Sequence, residues 1–226
     1  MERDETPALT FGRAFHCSQL EPAVFEPTYR VEPDFGDCRT RANKAARDDW
    51  RASNAGREFV SANDMAAIRG MQASVAAHPA ASRLIQAGQS EVTLRWVDDV
   101  SGLACKSRAD YWVREKRFVV DLKSTLDASP EQFAKDVYNY RYHVQDALYR
   151  AAFAACGERI DHFAIVAVEK LPPYACAVYV LDEDAVAKGH HSARKNIELL
   201  RACLEKNVWP GYSPGVEQLS LPRWAE

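Results

Sequence analysis

Leu103-Ala-Cys-Lys-Ser-Arg-Ala-Asp-Tyr-Trp-Val113, then Arg114-Glu-Lys-Arg117, then Phe118-Val-Val-Asp-Leu-Lys123 is the stretch that decides the fold. Both outer runs read as strands, and the charged tetrapeptide between them reads as a turn. With a period of two, Lys106, Arg108, Asp110 and Trp112 share one face of the first strand. On the second, Val119, Asp121 and Lys123 share a face, while Val120 and Leu122 take the other. A carboxylate inside so apolar a strand is costly unless it is paired or bound to a cation. Asp121 and Lys123 project the same way, about 7 Å apart along the strand. Asp110 lies on the adjoining strand of the hairpin. Two acids converging beside a lysine are what a magnesium-dependent phosphodiesterase requires. The carboxylates offer oxygen to a hard cation, and the ammonium positions the attacking water.

Outward from the hairpin, Val92–Val97 reads as a strand that enters it through a turn at Asp98–Gly102. Downstream, one long helix is expected, opened by Ser129 as N-cap with Pro130 in the first helical position and closed near Gly157. His162–Glu169 and Tyr174–Leu181 read as two further strands. The last helix, from about Asp184 to Asn207, carries Ile197, Leu200, Leu204 and Val208 as its apolar stripe. Upstream, Leu9–Leu20 reads as a helix that stops before Glu21-Pro22. Residues 36–60 read as a solvated, mixed-charge helix with a basic lean, and 62–87 as a helix interrupted at Pro79. Helices, three meandering strands, helix, two strands and helix make an α/β layered domain on a mixed sheet. A single domain over residues 1–226 is expected, with a helical N-terminal part (1–90) and a sheet core with its last helix (91–226).

Composition bounds the function. The 226 residues are 47% hydrophobic, and 29 basic against 32 acidic residues give a net charge of −3, which excludes a polycation gripping nucleic acid over its whole surface. No apolar run reaches the roughly 18–20 residues that cross a bilayer. The opening Met1-Glu-Arg-Asp-Glu5 is too charged for a signal peptide, so a cytoplasmic protein without membrane contact is expected. Cys17, Cys38, Cys105, Cys156, Cys176 and Cys203 are scattered without a Cys-x-x-Cys pair, which argues for reduced thiols and against zinc or iron–sulfur ligation. Neither a P-loop nor a dinucleotide-binding glycine fingerprint occurs.

Asp110, Asp121-Leu-Lys123 and Gln145-x-x-x-Tyr149 together resemble the PD-(D/E)xK nuclease superfamily, in particular its RecB-like exonuclease branch. Phe11-Gly-Arg-Ala-Phe-His16 followed by Leu20-Glu-Pro22 resembles the opening of exonuclease VIII (RecE-like) proteins of phage and prophage. Ala167–Tyr174 and Trp209-Pro-Gly-Tyr212 are similar to later segments of that family. The resemblance implies a restriction-endonuclease-like core. It implies that Asp110, Asp121 and His16 bind metal, with the Leu122 carbonyl and Glu91, just before the first strand, as further ligands. It also implies that Gln145 and Tyr149 face the site. Magnesium is the implied cofactor, with manganese an alternative that oxygen ligands also accept.

The activity implied is a metal-dependent exodeoxyribonuclease on linear double-stranded DNA, acting 5′ to 3′ and leaving a 3′ single strand. Implied partners are DNA ends, copies of itself in a ring-shaped tetramer, and a single-strand annealing protein. Lys106 and Arg108, on the Asp110 face, are candidate phosphate contacts. The rival readings are an endonuclease or single-strand nuclease of the same fold, and a non-catalytic DNA-binding module. His78 and His190-His191 read as surface residues. Tyr138, Tyr140 and Tyr142 read as helix-packing residues or as surfaces on which bases stack.

Overall fold

Thr6 opens the first helix, α1 (Pro7–Leu20). Its hydroxyl oxygen accepts from the Leu9 amide, and Pro7 occupies the first helical position, where no N–H is missed. A short helix, α2 (Pro22–Thr28), leads into strand β1 (Tyr29–Glu32). Helix α3 (Arg41–Ser53) follows, with no buried residue, as a solvated helix should have. Strand β2 (Glu58–Ser61) then pairs in parallel with β1, a small sheet that the sequence reading did not contain. Helix α4 (Ala62–Ala77) starts with a reciprocal cap between Ser61 and Asp64, and α5 (Pro79–Leu84) restarts the chain after Pro79. The computed structural model describes residues 6–86, 88–213 and 215–221.

The remaining elements are β3 (Gln89–Val97), β4 (Ala104–Val113), β5 (Phe118–Thr125), α6 (Pro130–Asn139), α7 (Tyr142–Ala155), β6 (His162–Glu169), β7 (Cys176–Val180) and α8 (Glu183–Lys206). The five strands form one mixed sheet in chain order, antiparallel throughout except where β5 pairs in parallel with β6. One face, through Tyr111, Val120, Leu122 and Val166, packs on Phe15 of α1 and Ile68 and Met71 of α4. The other, through Trp112, Val119, Phe163 and Ile165, packs on Phe133 of α6 and Phe153 of α7. The sheet is therefore covered by helices on both sides. Among the described residues, no helix is long and apolar enough to cross a membrane.

Four features differ from the sequence reading. The long helix expected over 129–157 is two helices, because Arg141 takes a left-handed backbone conformation at φ +63° between α6 and α7. Neither glycine nor proline marks that break. Glu91 lies inside β3 rather than before it, also with positive φ, at +54°. In β4 the two-residue alternation fails around Asp110: Ala109 and Trp112, three positions apart, both face the α6–α7 side. The expected apolar stripe of α8 is largely open to solvent, with Leu200, Leu204 and Val208 at 43%, 52% and 60% exposure. That helix instead buries the small residues Gly189, Ala193 and Cys203.

Candidate active site

The site begins where two strands separate. The β4–β5 ladder runs from Val113↔Phe118 to Tyr111↔Val120 and stops there. Past that point the Asp110 carboxylate replaces the ladder, its Oδ2 accepting the Leu122 amide at 2.9 Å. The amide that strand pairing leaves unmatched thus fixes the side chain of Asp110. On the other flank, Glu91 and Asp110 fall between the pairs Ser90↔Tyr111 and Val92↔Ala109 without pairing themselves. A non-glycine residue at positive φ costs about 1–3 kcal/mol, and here the distortion accompanies a carboxylate turned toward the site.

Asp121 is fully buried on β5, on the side facing α7. Its Oδ1 accepts from Gln145 Nε2 at 2.7 Å, and its Oδ2 lies 2.5 Å from Lys123 Nζ. Gln145 also donates to the Tyr149 hydroxyl at 2.9 Å, and that hydroxyl donates to the Arg108 carbonyl at 2.7 Å. One turn of α7 therefore ties β5 to β4 just behind the carboxylates. Tyr142, one turn earlier, lays its ring 4.8 Å from Lys123 Nζ, a cation–π contact.

His16 enters from α1, next to Phe15, whose burial anchors the helix. Its Nε2 lies 2.7 Å from the Leu122 carbonyl oxygen and 3.1 Å from Asp110 Oδ2, and its Nδ1 lies 3.7 Å from Glu91 Oε1. Glu91 is also paired with Arg108, at 2.6 Å. His16, Glu91 and Asp110 each present one ligand atom within 4.8 Å of the others. Carboxylate and carbonyl oxygens suit magnesium or manganese, and His16 in its neutral form adds a nitrogen donor, so these residues fit a divalent cation.

The electrostatics follow from burial and crowding. Burial favours the neutral His16 ring, yet hydrogen bonds to Asp110 and Glu91 outweigh it and raise the imidazole to about 10. The protonated ring balances these carboxylates, and it gives up a proton to serve as a metal ligand. Burial works against the charged form of Asp110, yet its bond to His16, the positive charges of His16 and Lys123 and the Leu122 amide together hold it below the usual carboxylate range. Asp121 moves the other way, lifted to about 7 by complete burial and by Asp110 despite Lys123 beside it. Lys123 is pushed up because the two carboxylates outweigh the effect of its own burial. Burial likewise drives the Tyr149 hydroxyl upward, so it stays a donor.

A cleft of about 540 Å³ opens over these groups, lined by His16, Glu91, Arg108, Asp110, Leu122 and Lys123. Arg13, Ser124 and Tyr142 also line it, although the sequence reading did not select them as site residues. The signal for two of them was helical spacing: Arg13 is one turn before His16, and Tyr142 one turn before Gln145. Lys106 is not brought to this cleft. It lines a shallow groove at the far end of the β3–β4 hairpin with Arg95 and Trp96. His190 and His191 lie in α8, and His78 caps α5 through Nδ1. All six cysteines are free thiols.

No curated protein matches this sequence. Among solved structures, the chain is similar to the crystal structure of a "Putative exonuclease" from Eubacterium rectale, with a TM-score of 0.61 and 14% identity over 98% of this chain and 79% of that one. At that identity the likeness speaks to the fold alone, which is restriction-endonuclease-like. The crystal structure of SSO0001 aligns at a TM-score of 0.34 with 16% identity, over 83% of this chain and 85% of that one, too distantly to bear on the fold. A family model described as "PDDEXK-like domain of unknown function (DUF3799)" matches residues 1–222. That span takes in the Asp110 strand, the Asp121-Leu-Lys123 strand and the helix behind them, and the chain belongs to this PDDEXK-like family.

Proposed function

We propose that the chain is a divalent-metal-dependent nuclease, and more narrowly an exodeoxyribonuclease on linear duplex DNA. The observation that carries this reading is the meeting of Asp110 and Asp121-Leu-Lys123 where β4 and β5 separate, with the Asp110 carboxylate on the Leu122 amide. In this reading Asp110, Asp121, Glu91, His16 and the Leu122 carbonyl hold metal. A bound divalent cation supplies positive charge at the scissile phosphate and acidifies a water. Lys123 donates from its ammonium to orient the attacking water and a phosphate oxygen, so that charge gathers where the protein already has a donor. Gln145 keeps Asp121 Oδ1 engaged and leaves Oδ2 to Lys123, and Tyr149 locks Gln145. Arg13 and Arg108, on the cleft wall, meet the phosphates of the bound strand.

The exonuclease reading is supported by the RecE-like pattern of Gly12-x-x-x-His16 and Gln145-x-x-x-Tyr149, and by the likeness to a structure named as an exonuclease. With it come a 5′ to 3′ direction, a 3′ single-stranded product suited to an annealing partner, and a ring-shaped tetramer. The test uses linear duplex DNA labelled at the 5′ or 3′ end and closed circular DNA, each with magnesium or EDTA. Magnesium-dependent release of 5′ label as mononucleotide with circles spared is expected. Cutting of circles makes the protein an endonuclease, and release of 3′ label reverses the polarity.

A further inference from the structure

A second cleft, of about 580 Å³, adjoins the first. Ser124 and Tyr142 line both, so Tyr142 stands at the boundary between them. The two differ in chemistry. The first carries Arg13, Arg108 and Lys123 among its carboxylates, whereas the second is lined by Tyr140, Leu126, Gln132, Asp127, Asp136 and Lys170. Asp127 and Asp136 oppose a phosphate there. Tyrosine rings with carboxylate and amide acceptors instead suit a nucleobase, which offers a flat face and N–H donors.

The backbone is distorted at the same place. Arg141, at φ +63°, interrupts what would otherwise be one helix. The distortion leaves Tyr140 67% exposed beside Tyr142, with ring centroids 5.8 Å apart and planes 26° from parallel. Those rings are too close to admit a base between them, and Tyr142 also meets Lys123 and Phe133, so the usable surface is the solvent side of Tyr140 with Tyr142 backing it. Arg141 in turn lies over the Tyr138 ring at 5.1 Å, and Tyr138 stacks on His143, which leaves those rings engaged and Tyr140 presented. Lys123 Nζ against the Tyr142 ring links this surface to the site.

We propose that Tyr140 and Tyr142, at the break between α6 and α7, form a stacking platform for an unpaired nucleobase beside the phosphate held at Lys123. The inference rests on the nuclease reading of the first cleft and adds to it that the substrate strand is bound frayed, with one base out of the duplex.

The test measures binding without hydrolysis, in EDTA and in calcium, to duplexes with two unpaired nucleotides at the 5′ or 3′ end. One set carries 2-aminopurine in the overhang and a second carries abasic residues there. Wild type is expected to quench 2-aminopurine. Tyr140→Ala, at an exposed position and expected to keep the wild-type circular dichroism spectrum, is expected to lose the quench and bind about tenfold more weakly. Tyr140→Phe is expected to retain both, and on abasic DNA all three proteins bind alike. Equal binding by Tyr140→Ala, or an equal loss on abasic DNA, overturns the platform. Quenching without hydrolysis in magnesium overturns the nuclease reading and keeps the platform. Hydrolysis without quenching overturns the platform alone, and failure to bind any of these DNAs overturns both.

Discussion

Gln145 Nε2 donates to Asp121 Oδ1 at 2.7 Å, so the one fully buried carboxylate of the site is held by an amide from the helix behind it. The same amide meets the Tyr149 hydroxyl, which is fixed on the Arg108 carbonyl. In the proposed nuclease reading, Gln145 and Tyr149 act on Asp121 through these hydrogen bonds, as positioning residues. Groups that orient a metal-binding carboxylate typically contribute 10–100-fold to metal affinity.

Gln145→Leu is therefore expected to weaken Mn2+ binding by about 10–100-fold, read by isothermal titration calorimetry, while the protein stays folded. An unchanged affinity removes Gln145 from the site.

Tyr149→Phe deletes the part-buried hydrogen bond to the Arg108 carbonyl. The expected loss is about 0.5–1.5 kcal/mol in urea unfolding. Combined with Gln145→Leu, the two losses are expected to be non-additive, because both residues belong to one chain of hydrogen bonds.

Asp98 joins the β3–β4 turn to α8. Both its oxygens accept from Arg194, at 2.7 and 2.8 Å, and Oδ2 also accepts from Ser101. The Arg194 guanidinium holds this carboxyl well below its usual range, against the opposing effect of desolvation. A depressed carboxylate contributes stability above its unfolded value near 4 and loses it as pH falls. Arg194 is partly exposed, so solvent screens the pair, and Asp98→Ala is expected to cost about 1–2 kcal/mol at pH 7. Urea midpoints of the two proteins should converge as the pH drops below roughly 4. A gap that widens in acid contradicts this.

Gly189 brings α8 onto α7 so closely that a Cβ there would lie 2.1 Å from the His143 carbonyl oxygen. The neighbour is backbone and has little room to move. Gly189→Ala is expected to destabilise by about 1–3 kcal/mol despite alanine's better helix propensity. Gly12→Ala, where the nearest atom outside the helix is Ser124 Oγ at 3.7 Å, is expected to fold normally. Thermal unfolding of both variants checks the contrast.

Much of this was legible in the sequence because strand alternation is a strong local signal. The five strands of the main sheet and the turn at Arg114–Arg117 follow from it, as do the neighbouring places of Asp121 and Lys123 on β5. The rest depends on tertiary context. The strands Tyr29–Glu32 and Glu58–Ser61 are four residues each and of mixed polarity, too short to show a period. The break at Arg141 carries no breaker residue, so propensity reads straight through it. The alternation of β4 fails at Asp110 because its ladder ends there and the side chain takes over. The Leu200–Val208 stripe has helical spacing but little beneath it, since α8 packs through its small residues instead. His16 reached the site by family resemblance, and Arg13, one turn before it, was missed because the cleft is built by α1 and β5 together and shows only in the folded chain.

The most direct measurement is the initial rate of hydrolysis of end-labelled linear duplex DNA by wild type, Asp121→Ala and Lys123→Ala, each in magnesium and in EDTA. Hydrolysis by wild type in magnesium only is expected, with both variants folded and slowed by at least about 100-fold. Folded wild-type protein that leaves DNA intact in magnesium and manganese, or an Asp121→Ala variant as fast as wild type, contradicts the nuclease reading.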